Sequence, residues 1–158
     1  MLDTILNTVL NKGGAGVSAS ASETVAALNP IMDAHVRLLH AYEYVRQQLG
    51  AGPLADALGV HLRTARIDAG KIAETILSLG GTPISGTAIE PGSIRTDGTA
   101  AQMLAGLAER ETAFRDAVAA SLADVPHQIR TSATLGIVRA SSEARLTTVR
   151  EAARRATS

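Results

Sequence analysis

The chain has 158 residues, enough for one domain with a substantial core. Lys+Arg and Asp+Glu each number 15, so bulk charge gives no reason to expect nucleic acid or an anionic membrane as a partner. The absence of cysteine excludes disulfides, thiolate metal sites and thiol nucleophiles, and leaves the redox compartment open.

The aromatic residues are Tyr42, Tyr44 and Phe114, so the core falls to Leu, Ile, Val and Ala, which suit closely packed helices. No apolar run approaches the roughly 20 residues of a membrane span. At the start, Leu2, Ile5, Leu6, Val9 and Leu10 recur at helical spacing, opposite Asp3, Thr4, Asn7, Thr8 and Asn11. Asp3 stands where a secretory signal would be basic, and the apolar residues are interrupted. A cytoplasmic location is expected on those grounds. Residues 13–22 (GGAGVSASAS) read as a flexible linker, which makes 1–22 a tethered amphipathic helix and 23–158 the main domain. Residues 1–12 either pack over one end of their own domain or dock on a protein partner, a shell or a sister subunit.

The first long helix is expected from about Ser22 or Glu23 to Leu49, with Pro30 in its first turns or marking a start after Asn29. Its inward stripe is Leu28, Met32, His35, Leu39, Tyr42 and Leu49. Residues 50–53 (GAGP) make a short turn, so the next helix, Leu54 to Leu79, runs antiparallel. It turns Leu54, Leu58, His61, Ala65, Asp68, Ile72, Ile76 and Leu79 inward, leaving Lys71 and Glu74 largely outside. Gly80-Gly81 stop it, with Pro83 beyond.

The loop from Gly80 to Gly98 is too long for a simple connection. Extended at about 3.3 Å per residue it reaches about 60 Å, against about 36–39 Å for the helix before it, so it can travel the whole domain. A third helix is expected from near Thr99, with Asp97 or Thr99 as N-cap, to about Leu122. It carries Leu104, Leu107, Glu111, Phe114, Val118 and Leu122 inward. After a turn over residues 123–126, with Asp124 as a cap, the last helix presents Thr131, Leu135, Val138, Ser142, Leu146 and Val149. Its basic end (Arg150, Arg154, Arg155) suits a helix C-terminus.

The ending A-E-T-I-L-S-L-G-G-T-P, residues 73–83, resembles the end of the second helix of ferritin-like proteins, bacterioferritins and mini-ferritins especially. One long crossover between the second and third helices is also that family's topology. The resemblance implies an all-α, ferritin-like four-helix bundle that assembles into dimers or shells, and a di-metal site. The family's ligand positions are largely missing. Its E-x-x-H pairs fall on Ala65 and Asp68 and on Ser141 and Ala144, and its first-helix glutamate falls near His35. Alignment places the third-helix ligand at Glu109, whereas periodicity turns Glu109 outward and Glu111 inward.

The polar residues expected inward are His35, His61, Asp68 and Glu111, with Tyr42 and Ser142 beside them. Antiparallel register sets His35 level with Asp68, Tyr42 level with His61, and Glu111 near the same depth. On one reading they form a polar core layer, His35 bonded to Asp68 and Tyr42 to His61, with no cofactor. On the other, His35, Asp68 and Glu111, with His61 nearby, hold one Fe, Mn or Zn ion. No phosphate-binding loop, dinucleotide fingerprint or nucleophile elbow is present. The expectation is a non-enzymatic homo-oligomeric or partner-binding subunit, the alternative a metal-binding oxidoreductase or metal store.

Overall fold

A computed structural model describes residues 20–86, 88–125 and 128–158. The candidate docking residues Leu2, Ile5, Leu6, Val9 and Leu10 lie outside the described residues. Those described are all-α: α1 (Ala21–Leu49), α2 (Pro53–Ser78), the single turn α3 (Pro91–Ile94), α4 (Ala100–Asp124) and α5 (Ile129–Thr157). None of these helices is long and apolar enough to cross a membrane.

Local chemistry sets the helix ends. At α1, Ser20 Oγ accepts from the Glu23 amide at 3.2 Å, and Glu23 Oε2 accepts from the Ser20 amide at 2.7 Å. This reciprocal box satisfies two amides that the first turn leaves free, so α1 starts well before Pro30. Pro30 therefore sits within the helix. Thr99 and Gln102 form the same box at α4, at 3.2 and 2.8 Å, which settles the choice between Asp97 and Thr99. Asp124 is the last residue of α4 rather than a cap of α5, which begins after Gln128 with no side-chain cap.

The glycine pair ending α2 has two separate tasks. Gly80 takes φ 81°, the left-handed conformation that costs glycine no Cβ clash. Its amide donates to Leu77 O and that of Gly81 to Ile76 O, both at 3.0 Å, closing the helix with crossed bonds. Gly81 is needed for space: a Cβ there would stand 2.5 Å from Val25 Cγ1 and 3.0 Å from Ile76 Cγ2. We expect Gly81→Ala to destabilise the fold by about 1–3 kcal/mol through overpacking against α1, read from urea unfolding. Gly70→Ala, where a Cβ meets nothing within 4 Å, is the control, expected to be neutral or stabilising by up to about 1 kcal/mol.

Helix α1 packs on α2 and α4, and α5 packs on α4 and α2, leaving α1/α5 and α2/α4 as the diagonals. Side-chain pairs give the directions. His35 meets Phe114 and Tyr42 meets Glu111, so α1 and α4 are antiparallel. His61 meets Thr148 and Thr75 meets Thr134, so α2 and α5 are antiparallel as well. With short α1–α2 and α4–α5 connections, α2 and α4 run the same way. The chain between them must cross from one end to the other.

It does so along α1. Asn29 Nδ2 donates to Thr82 O at 3.2 Å, and Gly86 lies against Val36. Further on, Arg37 reaches Ser93 Oγ at 3.5 Å and the Tyr44 hydroxyl reaches Asp97 at 3.4 Å. Residues 82–86 and 88–97 thus advance along α1 from Asn29 to Tyr44.

The core is aliphatic, drawn from all four long helices. On α1 the buried arc is broader than one stripe: Ile31, Leu38, Ala41 and Val45 are buried, while Leu39 and Leu49 are only half-buried. On α2, Leu62 and Ala69 are buried, and His61, Leu54 and Leu79 are half-buried. A helix with two packed neighbours buries more than a single stripe.

Candidate functional site

Glu111 is fully buried in the middle of α4, and Glu109 is exposed, as the helical period requires. A lone carboxylate there would be untenable; burying a charge demands pairing and hydrogen bonds. The counter-charge comes from α5. Arg145, 1% exposed, donates from Nε to Glu111 Oε2 and from Nη2 to Oε1, both at 3.0 Å. This two-bond fork matches the planar guanidinium to the planar carboxylate. The Tyr42 hydroxyl donates to Oε2 at 2.7 Å, and the Ser142 hydroxyl donates to Oε1. Each carboxylate oxygen therefore accepts two hydrogen bonds. Burial, and after it the Glu111 charge and hydrogen bond, push the Tyr42 phenol well above its ordinary range, so it stays a proton donor.

His35 does not bond Asp68. Its ring stacks on Phe114, with centroids 4.8 Å apart and planes 23° apart. Fully buried, it has no hydrogen-bond partner among the described protein atoms for either Nδ1 or Nε2. Burial and the nearby Arg145 charge push its pKa down to about 3, so the ring is neutral. Asp68, 1% exposed, has Oδ1 3.9 Å from Lys71 Nζ, and its Oδ2 is unpartnered. His61 does not bond Tyr42 either. Half-buried, its Nε2 lies 2.8 Å from Thr148 Oγ1. Burial, then the Arg145 charge, lower its pKa, with Glu111 opposing them.

The expected inward residues are thus placed, but with other partners. Tyr42, Glu111 and Ser142 come together with Arg145; His35, Asp68 and His61 remain apart from them in hydrogen bonding. Arg145 was missed by sequence reasoning, although a signal for it exists. It lies seven residues after Val138 and between Ser142 and Val149, inside the stripe already assigned to α5. An arginine among buried neighbours at helical spacing calls for a buried acid, and Glu111 was on the same inward set.

No family model, curated protein or solved structure matches this chain. Its chemistry has to be taken from its own geometry.

A di-iron centre needs about four carboxylates and two histidines projecting into the core. The buried carboxylates of the described core are Asp68 and Glu111, and both oxygens of Glu111 are occupied by a cation and two hydroxyls. Among the described residues no group of three or more His, Asp or Glu side chains is placed to hold a metal ion. The donor set does not fit that cofactor. Arg145 already supplies the positive charge that a metal would bring.

Proposed function

We propose that the chain is a ferritin-like four-helix bundle without the standard di-iron site, acting as an oligomeric or partner-binding subunit rather than as an enzyme. The observation that carries this reading is the Arg145–Glu111 fork, which leaves the core carboxylate no free coordination position. The parallel α2 and α4 and the crossover along α1 agree with the family's topology. Exposed apolar side chains support association: Val60 and Ile67 on α2 and Ile129 and Ile137 on α5 are 52%, 61%, 85% and 45% exposed.

A second reading, an atypical metal-binding protein, has one observation in its favour. The two ring nitrogens of His35 and Oδ2 of Asp68 are buried donors or acceptors without partners. Elemental analysis of protein made with iron, manganese and zinc supplied, without chelator or histidine tag, separates the two. We expect a folded protein with no stoichiometric metal, and light scattering that gives a mass at a multiple of one chain. Near-stoichiometric Fe, Mn or Zn, lost in His35→Ala, would establish the second reading instead. A metal-free monomer that captures no partner would end the subunit reading.

A further inference from the structure

One side of the molecule is made by α2 and α5 together. His61 with Thr148 and Thr75 with Thr134 bridge the two helices in one constant antiparallel register. Turning about 100° per residue from those bridges, away from the core, brings Val60 and Ile67 of α2 and Ala133, Ile137, Ala140 and Ala144 of α5 to this side. All of them are exposed, so the face is apolar along its centre and covered by no other described element.

Charges stand toward its ends: Arg63 and Glu74 on α2, Arg130 and Glu151 on α5, all exposed. None is ion-paired with another described residue, whereas Lys71, on the same side, lies 3.9 Å from Asp68. Their positions are symmetric. Arg130 and Glu151 lie about 16 Å either side of a point between Ala140 and Ser141, at 1.5 Å per residue. Arg63 and Glu74 lie about 8 Å either side of a point between Asp68 and Ala69. The register of the two bridges puts both midpoints at the same level. A twofold axis across both helices at that level stacks α2 on α2 and α5 on α5 of a second copy, antiparallel. That single operation sets Arg130 against Glu151 and Arg63 against Glu74 of the other copy, each pair formed twice.

We propose that the α2/α5 face binds a second copy of this chain, antiparallel about that axis. The proposal rests on the subunit reading and names its partner. From Arg130 to Glu151 the face runs about 31 Å, and two helices make it about 20 Å wide, which is about 600 Å² in plan. Stable interfaces begin at about 600 Å² per partner, so a dimer of micromolar affinity is expected. The apolar side chains supply the strength, and the exposed charge pairs fix the orientation.

The test is sedimentation equilibrium of the full chain over about 1–100 μM, with circular dichroism of each variant. We expect a reversible dimer. Ala140→Glu, exposed and at the axis, should give a monomer with the helical signal unchanged. Arg130→Glu or Glu151→Arg alone should weaken the dimer about tenfold, by turning attractive pairs into repulsive ones. The two together should restore it to within about threefold, because the exchanged charges still meet across the axis. A wild type that stays monomeric overturns the proposal and leaves the subunit reading only a different partner. A dimer that survives Ala140→Glu overturns this face while the subunit reading stands. A charge exchange that restores nothing overturns the antiparallel pairing.

Discussion

Replacing Arg145 by alanine should destabilise the protein by about 3–5 kcal/mol, the range for stranding a charge whose buried partner has been removed. Glu111 would keep its bonds from Tyr42 and Ser142 but lose the cation that is paired with it. Arg145→Lys should recover only part of the loss, because an ammonium is a point charge and cannot reproduce two parallel bonds. Glu111→Leu combined with Arg145→Met removes both charges and keeps the volume. Apolar replacement of buried pairs is often neutral or stabilising by about 1–4 kcal/mol. Here it strands the buried Tyr42 and Ser142 hydroxyls at about 1–3 kcal/mol each, so the double variant should recover much of the loss in Arg145→Ala without exceeding the wild type. Urea unfolding followed by circular dichroism reads all three. Should Arg145→Ala unfold within about 1 kcal/mol of the wild type, Glu111 does not depend on its guanidinium and the fork is incidental.

His35 should control the acid limb of stability. Its folded pKa is about 3, below the 6.5 of a free imidazole. Above pH 6.5 the ring is neutral in both folded and unfolded chains and contributes no slope. As the pH falls below 6.5 the unfolded chain takes up a proton that the folded chain refuses, so stability drops by up to about 1.4 kcal/mol per pH unit. The loss ends near pH 3, where the folded ring also protonates. In His35→Leu that part of the slope should vanish. At pH 7 the same variant should be more stable by about 1–3 kcal/mol, because it removes a buried ring with two unpartnered nitrogens. Denaturant titrations at a series of pH values test both. An unchanged acid slope in His35→Leu would show that other groups govern it.

Helical period sorted most of inside from outside. It put Glu111 in and Glu109 out, and it found the α5 stripe from Thr131 to Val149 apart from Arg145. It also gave the crossover, since a loop of that length has few other uses. Partnership is different. Depth along an antiparallel pair fixes which residues are level, but side-chain length and direction decide which atoms meet. Tyr42, level with His61 on one neighbour, turns to Glu111 on the other. His35, level with Asp68, lies flat on Phe114. Arg145 was not among the residues placed inward on α5, although its position between Ser142 and Val149 fits that stripe. The start of α1 falls at Ala21, within two residues of the expected Ser22 or Glu23, and the Ser20–Glu23 box rules out the alternative start after Asn29 that Pro30 suggested.

The crossover divides the chain into two helical hairpins, and the charges are not shared evenly between them. Glu111, Ser142 and Arg145 all belong to the α4–α5 hairpin, so the ion pair is drawn from segments close in sequence. Among the described residues, Tyr42 supplies the single hydrogen bond to Glu111 from the other hairpin. The fork can therefore form while still hydrated, within one half of the molecule, at a modest loop-closure cost. Its removal from water has to await the arrival of α1, which brings the Tyr42 hydroxyl with it. Electrostatic pairing and desolvation are thereby assigned to separate events in assembly, the first local and the second long-range.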